Sequence, residues 1–119
     1  GVATSSKNCV PILEKAGITN LFETRVDGVV SAELGLKGKP EPDIFHHAAR
    51  LAGLTPGQVL HIGDDAHLDA WGARNAGMPC IWVNRAGKAW DLPGDAPPSV
   101  NGLDELRTWW AGRLKQPAV

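Results

Sequence analysis

Two short apolar runs, VLHI at residues 59–62 and CIWV at residues 80–83, bracket a stretch of small residues at helical spacing. No other feature restricts the fold as strongly. A strand, a helix of ten or so residues and a second strand make a βαβ unit, with parallel strands and a right-handed crossover. The helix is predicted from about Ala66 to Gly77. Leu68, Gly72, Ala73 and Ala76 form its inner face, and all but Leu68 are small enough to let a helix lie close on a sheet. Gly63-Asp64-Asp65 ends the first strand just before the helix begins.

The rest of the chain repeats this alternation. Val2-Ala3-Thr4-Ser5 reads as the end of a buried strand, and Ser6 as the cap of a helix running from about Lys7 to Ala16, closed by Gly17. Residues 24–30 are β-branched around Asp27-Gly28, which predicts a strand with a bend. LGLKGKPEP at residues 34–42 is a loop, and a helix follows over about residues 43–52 with Ile44, Phe45, Ala48 and Leu51 on one side. Residues 84–101, rich in Gly and Pro, wander. A last helix is predicted over residues 103–114, with Leu103, Leu106, Trp110 and Leu114 along one stripe and Trp109 at its flank. Residues 1–114 thus form one α/β domain with a Rossmann-like parallel sheet, and residues 115–119 a frayed tail.

Composition narrows the function. Twelve Lys and Arg against thirteen Asp and Glu leave a net charge of -1, which argues against a basic nucleic-acid binder. No apolar run approaches the roughly 20 residues needed to cross a bilayer. Cys9 and Cys80 lie far apart in apolar surroundings and read as reduced, buried thiols, so a soluble, cytoplasmic domain is expected, with no nucleic-acid or membrane partner. His46 and His47 are adjacent on a helix and cannot pinch one metal, and neither His61 nor His67 has a Cys or His at zinc spacing. Five tryptophans are many for 119 residues; Trp90, in the Gly/Pro loop, is expected to be exposed or to pack on that loop.

Ligands of parallel sheets sit beyond the carboxyl ends of the strands. The polar groups there are Thr4, Ser5 and Ser6 after one strand and Asp64 and Asp65 after another, with Asp69 one helical turn on. Hydroxyls and backbone N–H groups leading into a helix suit a phosphate, or simply cap the helix. Clustered carboxylates suit a hard cation such as Mg2+, or serve as an N-cap and a favourable first-turn acid. Lys37 and Lys39 can each supply a point charge to a phosphoryl group.

The groups also occur in a telling order. A strand-end Thr, then Lys-Pro-x-Pro-Asp, then Gly-Asp-Asp-x-x-x-Asp ahead of Gly-Ala-x-x-Ala-Gly-Met, resembles the haloacid dehalogenase superfamily from about residue 2 to residue 84. GKPEPDIF at residues 38–45 and IGDDAHLDAWGARNAGM at residues 62–78 carry the resemblance most specifically. It selects Lys39 over Lys37. It implies that Thr4 and Lys39 are catalytic, holding phosphoryl oxygens together with Ser5. It also implies that Asp64 is the chief Mg2+ ligand, with Asp65 or Asp69 as partner. The implied reaction attacks a phosphoryl group of a small phosphorylated metabolite with an Asp nucleophile, and water then hydrolyses the aspartyl-phosphate.

The front half is similar to the β-phosphoglucomutase-like branch, where the positions of Ser6, Lys7 and Asn8 contact substrate or a second phosphate. The back half is more similar to small-molecule phosphatases. A non-catalytic α/β domain that binds phosphate or a protein is the competing reading. A phosphoacceptor receiver domain is rejected, because there the acidic pair opens the chain and the Lys closes it.

The family's nucleophile lies in an Asp-x-Asp-x-Thr motif, and this sequence contains no Asp-x-Asp. The helical cap domain is also missing. The resemblance therefore implies the C-terminal part of a longer hydrolase, with the nucleophile strand belonging between the strand ending at Thr4 and the strand ending at Asp64. Two unpaired edges are then expected, with self-association or pairing to the absent segment, and an isolated chain that is inactive.

Overall fold

The computed structural model describes residues 1–114. In chain order the elements are β1 (Val2–Ala3), α1 (Cys9–Ala16), β2 (Arg25–Val26), α2 (Gly28–Leu34), α3 (Pro42–Leu51), β3 (His61–Gly63), a π-helical segment (Ala66–Trp71) continued by α4 (Gly72–Asn75), β4 (Cys80–Val83), β5 (Ser99–Val100) and α5 (Leu103–Leu114). All strand pairs are parallel, as the alternation requires. They form two sheets, β1-β2 and β3-β4-β5, rather than one.

The βαβ unit predicted from residues 59–83 is the heart of the molecule. All four residues of β4 are buried, which is why its sequence is continuously apolar rather than alternating. Phe45 and Ala49 of α3 meet Ala70, Ala73, Ala76 and Met78 on one face of this sheet. The near approach of the helices depends on Gly72: a Cβ there would lie 3.1 Å from a Phe45 ring carbon and from the Pro40 Cα. On the other face Ile81, Val83 and Val100 pack with Leu60, Leu106 and Trp109.

Besides the split sheet, Leu51 of α3 is exposed rather than packed, with Ala49 buried in its place, and four further local expectations about strands and helices change. The bent strand over residues 24–30 is a two-residue strand followed by α2. The Asp27 carboxylate accepts from the N–H groups of Val29 and Val30, at 3.0 and 2.9 Å, and this cap overrides the β preference of the two valines. Second, α1 starts two residues later than expected. The Ser6 hydroxyl accepts from the N–H of Asn8 and closes the preceding turn instead of capping the helix.

Third, Leu68 is exposed, while Asp69 and Ala70 are buried. The Asp65 carbonyl accepts from the N–H of Ala70, a five-residue step, so the wider turn moves the inward face on by one position. Fourth, the stripe of α5 is displaced. Trp109 packs on the sheet, whereas Leu103 and Trp110 are exposed. The side chain of Leu114 and the tail from residue 115 lie outside the described residues.

The loop over residues 84–98 is fastened rather than wandering. Trp90 packs edge-on against Trp82, under the Arg74 guanidinium, and its ring N–H donates to the Gly94 carbonyl. Arg74 also donates to the carbonyls of Pro93 and Asp95. Trp90 is thus the loop-packing ring its position suggests. No described helix is long and apolar enough to cross a membrane.

Candidate functional site

The candidate site is the space between the two sheets. The inner edges of β1 and β3 face a cavity of about 570 Å3, floored by Phe45 and Ala48 of α3 and edged by Lys39, Asp64 and Asp69. Val2 and Thr4 donate their N–H groups to Thr24 and Val26 of the neighbouring chain segment, and His61 donates its own to Pro79. Because parallel strands alternate their amides, the N–H groups of Ala3 and Ile62 point the other way, into the cavity from opposite sides. Ile62 itself is 42% exposed.

At the carboxyl end of β3, Gly63 allows the chain to pass against Asp69. A Cβ on Gly63 would lie 2.3 Å from the Asp69 Cγ. Asp69, 5% exposed, is fully engaged. Its Oδ1 accepts from Lys39 Nζ at 2.7 Å and from His61 Nε2 at 2.9 Å, and its Oδ2 accepts from the Asp65 N–H at 3.2 Å. Burial alone would raise its pKa. The hydrogen bonds from His61 and Lys39, the charge of Lys39 and the Asp65 N–H outweigh that and hold the carboxyl well below the usual range.

Asp65 spends one oxygen on the helix start, Oδ1 accepting from the N–H groups of His67 and Leu68 at 3.0 and 2.7 Å. Asp64 is exposed, and no hydrogen bond or ion pair to its carboxylate occurs among the described residues. Its backbone is nevertheless fixed, since the Trp82 indole donates to the Asp64 carbonyl at 3.1 Å.

The three acids therefore differ in their fitness for Mg2+, which takes oxygen ligands and keeps several waters. Asp64 offers two open oxygens on a held backbone, and Asp65 one. Asp69 already serves three donors. No group of three or more His, Cys, Asp or Glu side chains is arranged around a common point among the described residues, so one or two carboxylates from this chain would have to be completed by oxygens from elsewhere.

At the end of β1, the Thr4 hydroxyl oxygen accepts from the Ser6 N–H at 3.2 Å, which leaves its own proton free to donate. The Ser5 hydroxyl lies 3.4 Å from the place of a Cβ on Gly38, so the β1 end abuts the loop that carries Lys39. The Lys37 N–H donates to Asp43, tying the same loop to α3. Lys39, Asp64 and Asp69 border one cavity with the β1 edge. Thr4, Ser5 and Asp65 do not line it, and neither do Ser6, Lys7 and Asn8, which are exposed on the turn beyond β1.

Elsewhere, His46 Nε2 donates to the Ala76 carbonyl at 3.0 Å and ties α3 to the end of α4; His46 does not line the cavity. Cys9 and Cys80 are free and buried, and burial is the main cause of the rise in both thiol pKa values, that of Cys80 to about 12. Two residues of the site went unrecognised in the sequence. His61 reaches Asp69 only because strand alternation turns it inward beneath Phe45, and Trp82 braces Asp64 from the neighbouring strand. Neither residue type announces such a role.

Comparison with known proteins bears on the family and the fold. Residues 1–77 match the model of the haloacid dehalogenase-like hydrolases. A beta-phosphoglucomutase of Mycobacterium bovis is 35% identical over 88 residues, covering 74% of this chain and 34% of the relative. A phosphoserine phosphatase of Thermus thermophilus is 32% identical over 104 residues, covering 83% and 40% respectively. The crystal structure of a HAD phosphatase from Thermococcus onnurineus superposes with a TM-score of 0.74 at 28% identity, over 89% of this chain and 46% of the other. The chain thus spans less than half the length of each of these proteins. The order of Thr4, Lys39 and Asp64 along the chain, the parallel α/β fold around them and the family match over residues 1–77 agree, and the chain belongs to the haloacid dehalogenase-like hydrolases.

Proposed function

We propose that this chain is the C-terminal portion of a Mg2+-dependent phosphohydrolase acting on a small phosphorylated metabolite through an aspartyl-phosphate. The observation that carries the reading is the cavity between β1 and β3. Lys39 stands at its border on a carboxylate 2.7 Å away, beside the open carboxylate of Asp64. Both strand edges around it present backbone groups suited to a further parallel strand. On this reading the nucleophilic Asp arrives on such a strand, supplied by a segment outside the 119 residues, and residues 1–114 are a partial core domain. Without that strand the same edges pair with a second copy of the chain.

Each residue then has a task. Thr4 donates its hydroxyl proton, and Ser5 its backbone N–H, to non-bridging phosphoryl oxygens. Lys39 holds a third oxygen and offsets the charge that accumulates there as the phosphoryl group moves. Asp64, with Asp65, would hold Mg2+, which supplies neutralisation of the phosphoryl and nucleophile charges; Asp69, taken up by Lys39, His61 and the Asp65 N–H, is not the partner ligand. The ion pair with Asp69 holds the Lys39 ammonium in place, so little reorganisation is needed when the substrate arrives.

The test is a phosphate-ester screen, with Mg2+ or with EDTA, on a protein that joins this chain to a strand bearing Asp-x-Asp-x-Thr. Mg2+-dependent release of inorganic phosphate is expected, falling by about a thousandfold or more in Lys39→Ala and Asp64→Asn. The 119-residue chain alone should release none. Turnover by the isolated chain, or turnover indifferent to both substitutions, contradicts the proposal.

The identity to a beta-phosphoglucomutase favours one second reading, a phosphomutase in which Ser6, Lys7 and Asn8 hold a distal phosphate. Product analysis separates the two: a mutase returns an isomerised sugar phosphate where a phosphatase releases phosphate.

A further inference from the structure

We propose that His61 is a positioning residue for Lys39, acting through the carboxylate oxygen that the two side chains share. The proposal rests on the reading that Lys39 serves a phosphoryl group, and it adds a residue that the sequence motifs do not mark.

A lysine ammonium sits on a flexible four-carbon stem and is only as well placed as its acceptor. Here the acceptor is a single atom, Asp69 Oδ1, 2.7 Å from Lys39 Nζ and 2.9 Å from His61 Nε2. A carboxylate can rotate about its Cβ–Cγ bond, and what stops rotation is the set of groups around it. The Asp65 N–H holds Oδ2 at 3.2 Å, the longest of the three bonds, and the Gly63 backbone lies against the Cγ without bonding to it. Among the described residues, only His61 shares Oδ1 with Lys39.

The imidazole is itself confined. The edge of Phe45 meets it at 5.0 Å between centroids and 85° between planes, and the backbone N–H of His61 is fixed to Pro79 in the sheet. An ionised carboxylate accepts and cannot donate, so the ring must carry its proton on Nε2. The chain of restraint runs from Phe45 to His61, to Asp69 Oδ1, to the ammonium at the cavity border.

Two measurements on the full 119-residue chain test this, and neither involves turnover. Competitive acetylation, read by peptide mass spectrometry, gives the reactivity of Lys39 relative to Lys37 as an internal standard. His61→Phe keeps the ring packed on Phe45 but removes the donor, and should raise the ratio by at least about fivefold. His61→Gln, which restores an N–H at the same reach, should return it to within about twofold of the native value. An unchanged ratio in a folded His61→Phe chain overturns the proposal, as does a raised ratio that Gln fails to rescue. If His61→Phe does not fold, nitrogen NMR of the native imidazole decides instead. A proton on Nε2 supports the proposal, and a ring protonated at Nδ1 alone overturns it. Failure here leaves the ester screen to judge phosphoryl transfer separately.

Discussion

Asp64 and Asp69 stand five residues apart on one segment and have been put to opposite uses. Asp69 is buried, accepts three hydrogen bonds and has its ionised state fixed by Lys39 and His61. Asp64 is exposed, and its carboxylate accepts nothing from the described residues. The closed acid belongs to the scaffold that holds the lysine, and the open one is available to a ligand. The difference arises from the chain between them. The π-helical turn rotates Asp69 inward, while Gly63 and the Trp82 indole keep the Asp64 backbone at the strand end. Sequence spacing alone treats the two acids as equals; packing separates them.

Substitutions sharpen that contrast. Asp69→Ala should cost the most, about 3–5 kcal/mol in urea denaturation, because it leaves two buried cationic or donor groups without an acceptor. A loss below about 1 kcal/mol would mean that the corner is not a cooperative unit. Gly63→Ala should follow at about 1–3 kcal/mol, since its Cβ would collide with the Asp69 side chain. Asp65→Ala should cost about 1 kcal/mol, the usual value of a lost helix cap. Asp64→Asn should leave stability within about 0.5 kcal/mol of native while removing divalent-cation binding. A stability loss in Asp64→Asn comparable to that in Asp69→Ala would erase the distinction.

Acid provides a further check. Asp69 and Asp27 both have pKa values lowered from 3.8, Asp27 chiefly by the Val30 N–H, against burial, with help from Arg25. A lowered folded-state pKa gives stability that is present above the unfolded value and is lost as the pH falls through it toward the folded one. The melting temperature should therefore lose nothing from these groups between pH 7 and about pH 5, and should fall below about pH 4. Asp69→Asn should flatten the acid limb.

Much of this architecture was legible in residue patterns. The βαβ unit over residues 59–83 is set by continuous apolar strands and a small-residue helix, and the family resemblance rests on Thr4, Lys39 and Asp64 in that order. What misled was local. Val29 and Val30 favour a strand until the Asp27 carboxylate caps a helix around them. Leu68 and Trp110 fall on the expected stripes of straight α-helices, but a five-residue hydrogen bond shifts the first, and contact with Ile81 and Val83 selects Trp109 over the second. Whether Asp69 binds a cation or a lysine depends on which donors surround it, and His61 comes from a strand with no motif of its own.

Paramagnetic relaxation by Mn2+ in the 15N-labelled 119-residue chain tests the division between the open and closed acids most directly. Native protein should lose amide signals first around residues 63–65, and Asp64→Asn should restore them with the fold intact. Broadening centred instead on the acidic start of α5 at Asp104 and Glu105, or broadening near Asp64 that survives Asp64→Asn, would contradict the account.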